Sequence, residues 1–118
     1  MPGRSSETGR DGERIAQRYL RSRGYTILAT NYRWERAEVD IIAKDGEVLV
    51  FCEVKMRTDD RFGPPELAVT ARKQVRVRQA ALGFCAEKEI EDQVCRFDVI
   101  AILLGRRGLE IRHIKDAF

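Results

Sequence analysis

Between residues 11 and 23 the apolar side chains Ile15, Ala16, Tyr19 and Leu20 return at helical spacing, and Gly24 follows where a left-handed cap would end a helix. A helix over 11–23 is predicted. At about 100° per residue, Glu13 falls beside Leu20, at the edge of the apolar stripe. The first ten residues include Pro2, Gly3, Ser5, Ser6 and Gly9 and predict a loose basic arm, leaving 11–118 as the domain. From residue 25 the pattern becomes β-rich: a first strand over 25–29, a loop through Asn31, Tyr32, Arg33 and Trp34, then strands over 38–43 and 48–55. These last two flank Lys44-Asp45-Gly46-Glu47, where Asp-Gly supplies the positive φ of a two-residue hairpin loop.

A polar loop over 57–65 closes on Pro64-Pro65, and helical spacing resumes over 70–88. There Val75, Ala81, Leu82 and Cys85 are expected on the buried side, with Arg72, Lys73, Arg76 and Arg78 crowding the first half. Two further strands, 94–104 and 109–114, surround Gly105-Arg106-Arg107-Gly108. The order α-β-β-β-α-β-β predicts an α/β sandwich with helices on a mixed sheet.

Pairing Lys44 with Glu47 sets the register of the first hairpin. Glu38 then lies opposite Glu53 and Asp40 opposite Phe51, with Asp40 diagonal to Glu53. Strand alternation puts Glu38, Asp40, Glu53 and Lys55 on one face.

A chain of 118 residues supports a single hydrophobic core, which excludes a multidomain enzyme. Its apolar runs, 48–52 and 99–104, are far too short to cross a bilayer, and the polar start has no apolar signal-peptide region. A cytoplasmic protein with no membrane partner is expected. Cys52, Cys85 and Cys95 are odd in number and widely spaced, so they read as reduced core thiols rather than a disulfide framework or zinc site. His113 is the only histidine, which leaves a catalyst here to work through carboxylates, lysine or cofactors.

The net charge of +3 names no partner, but its distribution says more. Residues 37–53 carry one basic and five acidic side chains, while 54–79 carry seven and three. Carboxylates flanked by basic segments suit a polyanion held around a metal ion. Buried carboxylates in central strands need a partner. Asp40 and Glu53 can offer oxygens to Mg2+ or Mn2+, and Lys55, on the same face, can hold the attacking water or neutralise charge on a phosphate. Arg57, Arg72, Lys73, Arg76 and Arg78 are expected to meet nucleic-acid phosphates. Asp98 reads as a buried acceptor of backbone hydrogen bonds, His113 as structural, and the aromatic loop at Tyr32 and Trp34 as packing on the sheet rather than stacking on bases.

The chain resembles the PD-(D/E)xK nuclease superfamily, and within it the YraN-like proteins related to Holliday-junction resolvases. The resemblance runs through Gly12-Glu13, Ala16, Tyr19-Leu20, Gly24-Tyr25, Asn31-Tyr32-Arg33 and Glu38-Val39-Asp40-Ile41-Ile42. It continues in Val50-Phe51-Cys52-Glu53-Val54-Lys55, Ala68-Val69, Lys73-Gln74, Arg96-Phe97-Asp98-Val99-Ile100, His113-Ile114 and Ala117-Phe118. Val39 stands where the superfamily's name has proline. The resemblance implies a restriction-endonuclease-like fold with Asp40 and Glu53 as metal ligands and Lys55 as catalytic lysine. It further implies Glu13 as an accessory acid from the first helix and Gln74 as a polar residue near the phosphate. The expected activity is magnesium-dependent phosphodiester hydrolysis on DNA, branched or single-stranded. The alternatives are a nucleic-acid-binding module that cuts slowly or not at all, or a scaffold for DNA processing. Symmetric cutting would require a homodimer, since one chain offers one site.

Overall fold

The computed structural model describes residues 2–58, 64 and 68–118, with the backbone alone for 2–8. The elements are α1 (Pro2–Ser22), β1 (Thr26–Trp34), β2 (Ala37–Asp45), β3 (Val48–Arg57), α2 (Ala71–Glu87), β4 (Cys95–Gly105) and β5 (Gly108–Ile114). The strands form one sheet in sequence order, antiparallel throughout except where β3 and β4 run parallel. The α-β-β-β-α-β-β order is as predicted. Most of the polar loop expected over 57–65 lies outside the described residues.

The helices cover opposite faces of the sheet. Under α1, Ala16 and Leu20 pack with Ile41, Ala43, Val50, Cys52, Ile100 and Ile102; under α2, Val77, Ala80 and Phe84 pack with Val39, Ile42, Leu49 and Phe51. β3 is buried on both sides, which explains why its sequence is almost continuously apolar. Gly12 lets α1 approach that strand, since a Cβ there would stand 3.2 Å from Met56 Cβ. Gly24, with φ of 88°, ends α1 as expected: Tyr25 N–H donates to the Leu20 carbonyl and Gly24 N–H to that of Arg21.

Several expectations need correction. α1 begins at Pro2, so the arm expected over 1–10 is helical from Pro2 onward; proline lacks an N–H and is at home in a helix's first turn. Asn31 to Trp34 belongs to β1 rather than to a loop. Asn31 takes the left-handed conformation, with φ of 51°, as a kink inside the strand, and pairing continues through Tyr32 opposite Val39 and Trp34 opposite Ala37. The β2–β3 register is shifted by one side-chain repeat: the loop is Gly46-Glu47, and Asp45 pairs with Val48. Gly46, with φ of 60°, takes glycine's place at the first loop position, while Asp45 stays in the strand, 3.1 Å from Arg96 Nη1. An even shift preserves the faces but changes the partners. Glu38 answers Arg33 of β1, at 2.8 Å, and it is Asp40 that stands across from Glu53.

The buried side of α2 also differs from expectation. Val77, Ala80, Ala81, Gly83 and Phe84 are buried, whereas Val75 and Leu82 are exposed. Gly83 is where the Trp34 indole lies on the helix; a Cβ would come within 2.1 Å of Trp34 Cγ. Cys52 is a core thiol, whereas Cys95 lies at the surface.

At the far end of the sheet, fully buried Asp98 gathers a polar cluster. It accepts from Arg96 Nε and Nη2, both at 2.9 Å, and from Asp116 N–H at 3.0 Å, with His113 Nε2 at 2.7 Å. Side chains thus supply most of the bonds expected from backbone. Burial alone would push the Asp98 pKa up; His113, Arg96 and the Asp116 amide outweigh it and hold the carboxyl below its usual range.

Candidate nucleic-acid and metal site

The β2–β3 ladder is regular from the hairpin as far as Ile41 opposite Cys52, and there it opens. Beyond that point side chains replace the backbone pairs: Asp40 Oδ2 accepts from Val54 N–H at 2.8 Å, and Glu53 Oε2 accepts from Asp40 N–H at 3.2 Å. Strict alternation would set Val39, Ile41 and Ala43 on one face, yet Val39 packs under α2 and the other two under α1. The pleat therefore breaks at Asp40, and the break delivers its carboxyl to the opening between the strands.

Glu53 is 2% exposed at the floor of a cleft of about 370 Å³. Burial first, and then the charge of Asp40, push its pKa up to about 8, with Lys73 acting in the opposite sense. Lys73 Nζ is 3.6 Å from Glu53 Oε1. Lys55 is pushed down to about 8 by burial and by Lys73, partly offset by Glu53 and Asp40. For Lys73 burial also works against the charge, but its interactions with Lys55, Glu53 and Asp40 win and raise its pKa. Two carboxyls and two amines thus share one partly dry site.

Of the residues that the sequence groups together, Asp40 and Glu53 bond each other's strands, and Lys55 feels the charge of both. Glu13 is hydrogen-bonded to Asn31, whose Nδ2 donates at 3.2 Å, and its pKa is raised by burial despite that bond, with Asp40 and Glu38 adding to the rise. It stands at the edge of the same electrostatic field. Gln74 Nε2 donates to the Val69 carbonyl at 3.2 Å, which ties down the entry to α2. Arg72, Lys73 and Arg76 line the cleft with Arg33, Arg36 and Thr70. Arg57 is exposed at the end of β3, and Arg78 is turned away, its guanidinium 5.5 Å from the Phe97 ring centre and 5.2 Å from that of Phe118.

The place of Lys73 beside Glu53 is not what its sequence context suggests, which is only a basic helical surface. A signal is nonetheless present: Lys73 extends the buried stripe Val77, Ala80, Phe84 by one turn, so its side chain must reach toward the sheet. Arg33 and Arg36 are hidden in a stretch that reads as a loop.

The donor set fits a hard dication. Among the described residues no group of three or more His, Cys, Asp or Glu side chains could hold a metal, and a fully protein-made cage is therefore not what these residues build. Magnesium characteristically takes one or two carboxylates and keeps water and phosphate oxygens as its other ligands, for which the open side of the cleft leaves room. Among the described residues no helix is long and apolar enough to cross a membrane.

A model of the family described as Uncharacterised protein family UPF0102 matches residues 12–102, a span that includes Glu13, Asp40, Glu53, Lys55, Lys73 and Gln74. A UPF0102 protein of Syntrophus aciditrophicus is 46% identical over 111 residues, covering 94% of this chain and 87% of the relative. One from Geotalea daltonii is 50% identical over 111 residues, covering 93% and 87%. One from Chlorobaculum parvum is 49% identical over 116 residues, covering 93% and 90%. The chain belongs to the UPF0102 family.

Proposed function

We propose that this protein hydrolyses phosphodiester bonds in DNA with a magnesium or manganese ion held by Asp40 and Glu53. One observation carries the reading: buried Glu53 and half-buried Asp40 line, with Lys73, a cleft walled by Arg33, Arg36, Arg72 and Arg76, and Lys55 feels the charge of both carboxyls and of Lys73. A divalent cation, when bound, supplies Lewis acidity toward phosphate and a more acidic water. The arginines hold backbone phosphates and set the strand's path. Lys55 carries positive charge to the reacting phosphate, and burial strengthens that interaction. Lys73 neutralises Glu53 while the cleft is empty and turns to phosphate when a nucleic acid enters. Glu13, oriented by Asn31, is the accessory acid.

A second reading is a nucleic-acid-binding module that cuts slowly or not at all. It is favoured by Lys73, whose ammonium lies 3.6 Å from Glu53 Oε1 and would compete with a cation for that carboxyl. A panel of linear, flapped, single-stranded and four-way-junction DNA, with magnesium or manganese, separates the two. Metal-dependent cleavage that is lost in Glu53→Gln and Lys55→Ala supports the hydrolase. Binding without cleavage under all conditions moves the function to the module, and neither binding nor cleavage overturns both.

A further inference from the structure

α2 is apolar on two sides. One side packs on the sheet. On the other, Val75 is 53% and Leu82 71% exposed, and Ala71 and Ala86, also exposed, continue the same line. At about 3.6 residues per turn these four positions form a single stripe along the helix, facing away from the molecule's own core. Scattered surface apolar residues need no explanation, but an ordered stripe on an otherwise packed helix does.

We propose that this stripe is the contact surface of a homodimer in which α2 packs antiparallel against α2 of a second copy. The stripe is self-complementary. A twofold axis passing between Arg78 and Gln79 sets Val75 against the second copy's Leu82, and Ala71 against its Ala86, each pairing made twice. That is the requirement of an isologous interface. The large residues lie near the axis and the small ones at the ends. Arg78 does not place a charge on the axis, because its guanidinium rests on Phe97 and Phe118 of its own chain.

Charge selects the same arrangement. Residues 71–86 carry Arg72, Lys73, Arg76 and Arg78 and no acid, while 87–92 carry Glu87, Glu89, Glu91 and Asp92 against Lys88 alone. Antiparallel helices bring the basic half of each copy toward the acidic end of the other, and pair opposite ends of the two helix dipoles. A parallel pair would set like charges side by side. The same acidic end disfavours an anionic membrane surface as the occupant.

Sedimentation of the full chain at tens of micromolar tests the proposal, with the expected species at about twice the 13.6 kDa chain mass. Leu82→Glu and Val75→Glu should each weaken the dimer at least tenfold, while circular dichroism stays unchanged and the urea midpoint loses the rise with protein concentration that dimerisation gives the wild type. A second measurement is independent of how those variants fold. In a Cys85→Ser, Cys95→Ser background, Val75→Cys with Leu82→Cys should cross-link into a covalent dimer on oxidation. Either cysteine alone should not, because each lies about 10 Å along the helix from its own symmetry mate. A monomer at every concentration overturns the proposal. So does a dimer that ignores both glutamates, or single-cysteine variants that cross-link as well as the pair.

Discussion

Asp40 and Glu53 each bond the strand that carries the other: Asp40 accepts the Val54 amide of β3, and Glu53 accepts the Asp40 amide of β2. The two carboxylates therefore satisfy backbone donors that the opened ladder leaves behind, and they are locked in orientation by doing so. Under the proposed function, side chains held this way would already be oriented when they meet a cation.

Magnesium or manganese affinity should consequently depend on both side chains. Asp40→Asn and Glu53→Gln keep an oxygen for the backbone amide while removing charge. Loss of a direct ligand should cost at least what loss of an outer partner costs, about tenfold in affinity. Titration calorimetry on wild type and both variants measures this, and equal affinity in all three would remove the site.

Lys55→Ala should reduce cleavage by about 10²–10³, the cost of losing one electrostatic stabiliser in a dry site, with little change in DNA affinity. Single-turnover kinetics alongside fluorescence anisotropy separate the two effects. An unchanged cleavage rate would rule out the role assigned to Lys55.

The basic residues of α2 should divide by the direction they face. Arg72→Glu and Arg76→Glu, both lining the cleft, should weaken DNA binding and lower the slope of log affinity against log salt by about one for each phosphate no longer neutralised. Arg78→Ala should leave that slope alone. It should instead cost about 0.5–1 kcal/mol of stability for each aromatic ring it no longer covers, Phe97 and Phe118. A salt slope that falls equally in all three variants would contradict this division.

Asp98→Asn should be among the most damaging single changes in the fold. Removing one partner from a buried charged cluster costs about 3–5 kcal/mol. The pH dependence has a definite sign. The folded carboxyl's pKa lies below its unfolded value, so its contribution is fully present above about pH 4, the unfolded value, and is lost as pH falls through the lower folded value. Urea denaturation of wild type and variant at neutral and acid pH would show the difference between them shrinking in acid.

Gly83→Ala tests the packing of Trp34 on α2. Alanine improves helix propensity by about 1 kcal/mol, but its Cβ would fall within 2.1 Å of a rigid indole atom. Overpacking, at about 1–3 kcal/mol, should win, giving a lower stability and a shifted emission from the chain's only tryptophan. A more stable protein with unchanged emission would contradict that packing.

What was legible in the sequence was local or periodic. The α1 apolar spacing, the Gly24 cap, the hairpin around Gly46 and the parity that puts Glu53 and Lys55 on one face all follow from neighbours a few residues apart. Glu53 and Lys55 could be grouped because an even shift of register does not change which face a side chain uses, whereas the break in the pleat at Asp40 brings its carboxyl to them. Other features needed the third dimension. The choice between an Asp-Gly and a Gly-Glu loop was decided by Arg96 of β4, distant in sequence, which keeps Asp45 in its strand. The kink at Asn31 resembles a loop until β2 is laid beside it. α2 is the clearest case: apolar residues lie on both of its sides, and periodicity alone cannot say which side a sheet will cover. Packing on Phe51 and Val39 selected Val77, Ala80 and Phe84, turned Lys73 toward Glu53 and left Val75 and Leu82 outside. A helix's own sequence specifies the faces it could bury, and only the rest of the chain decides which one meets the core.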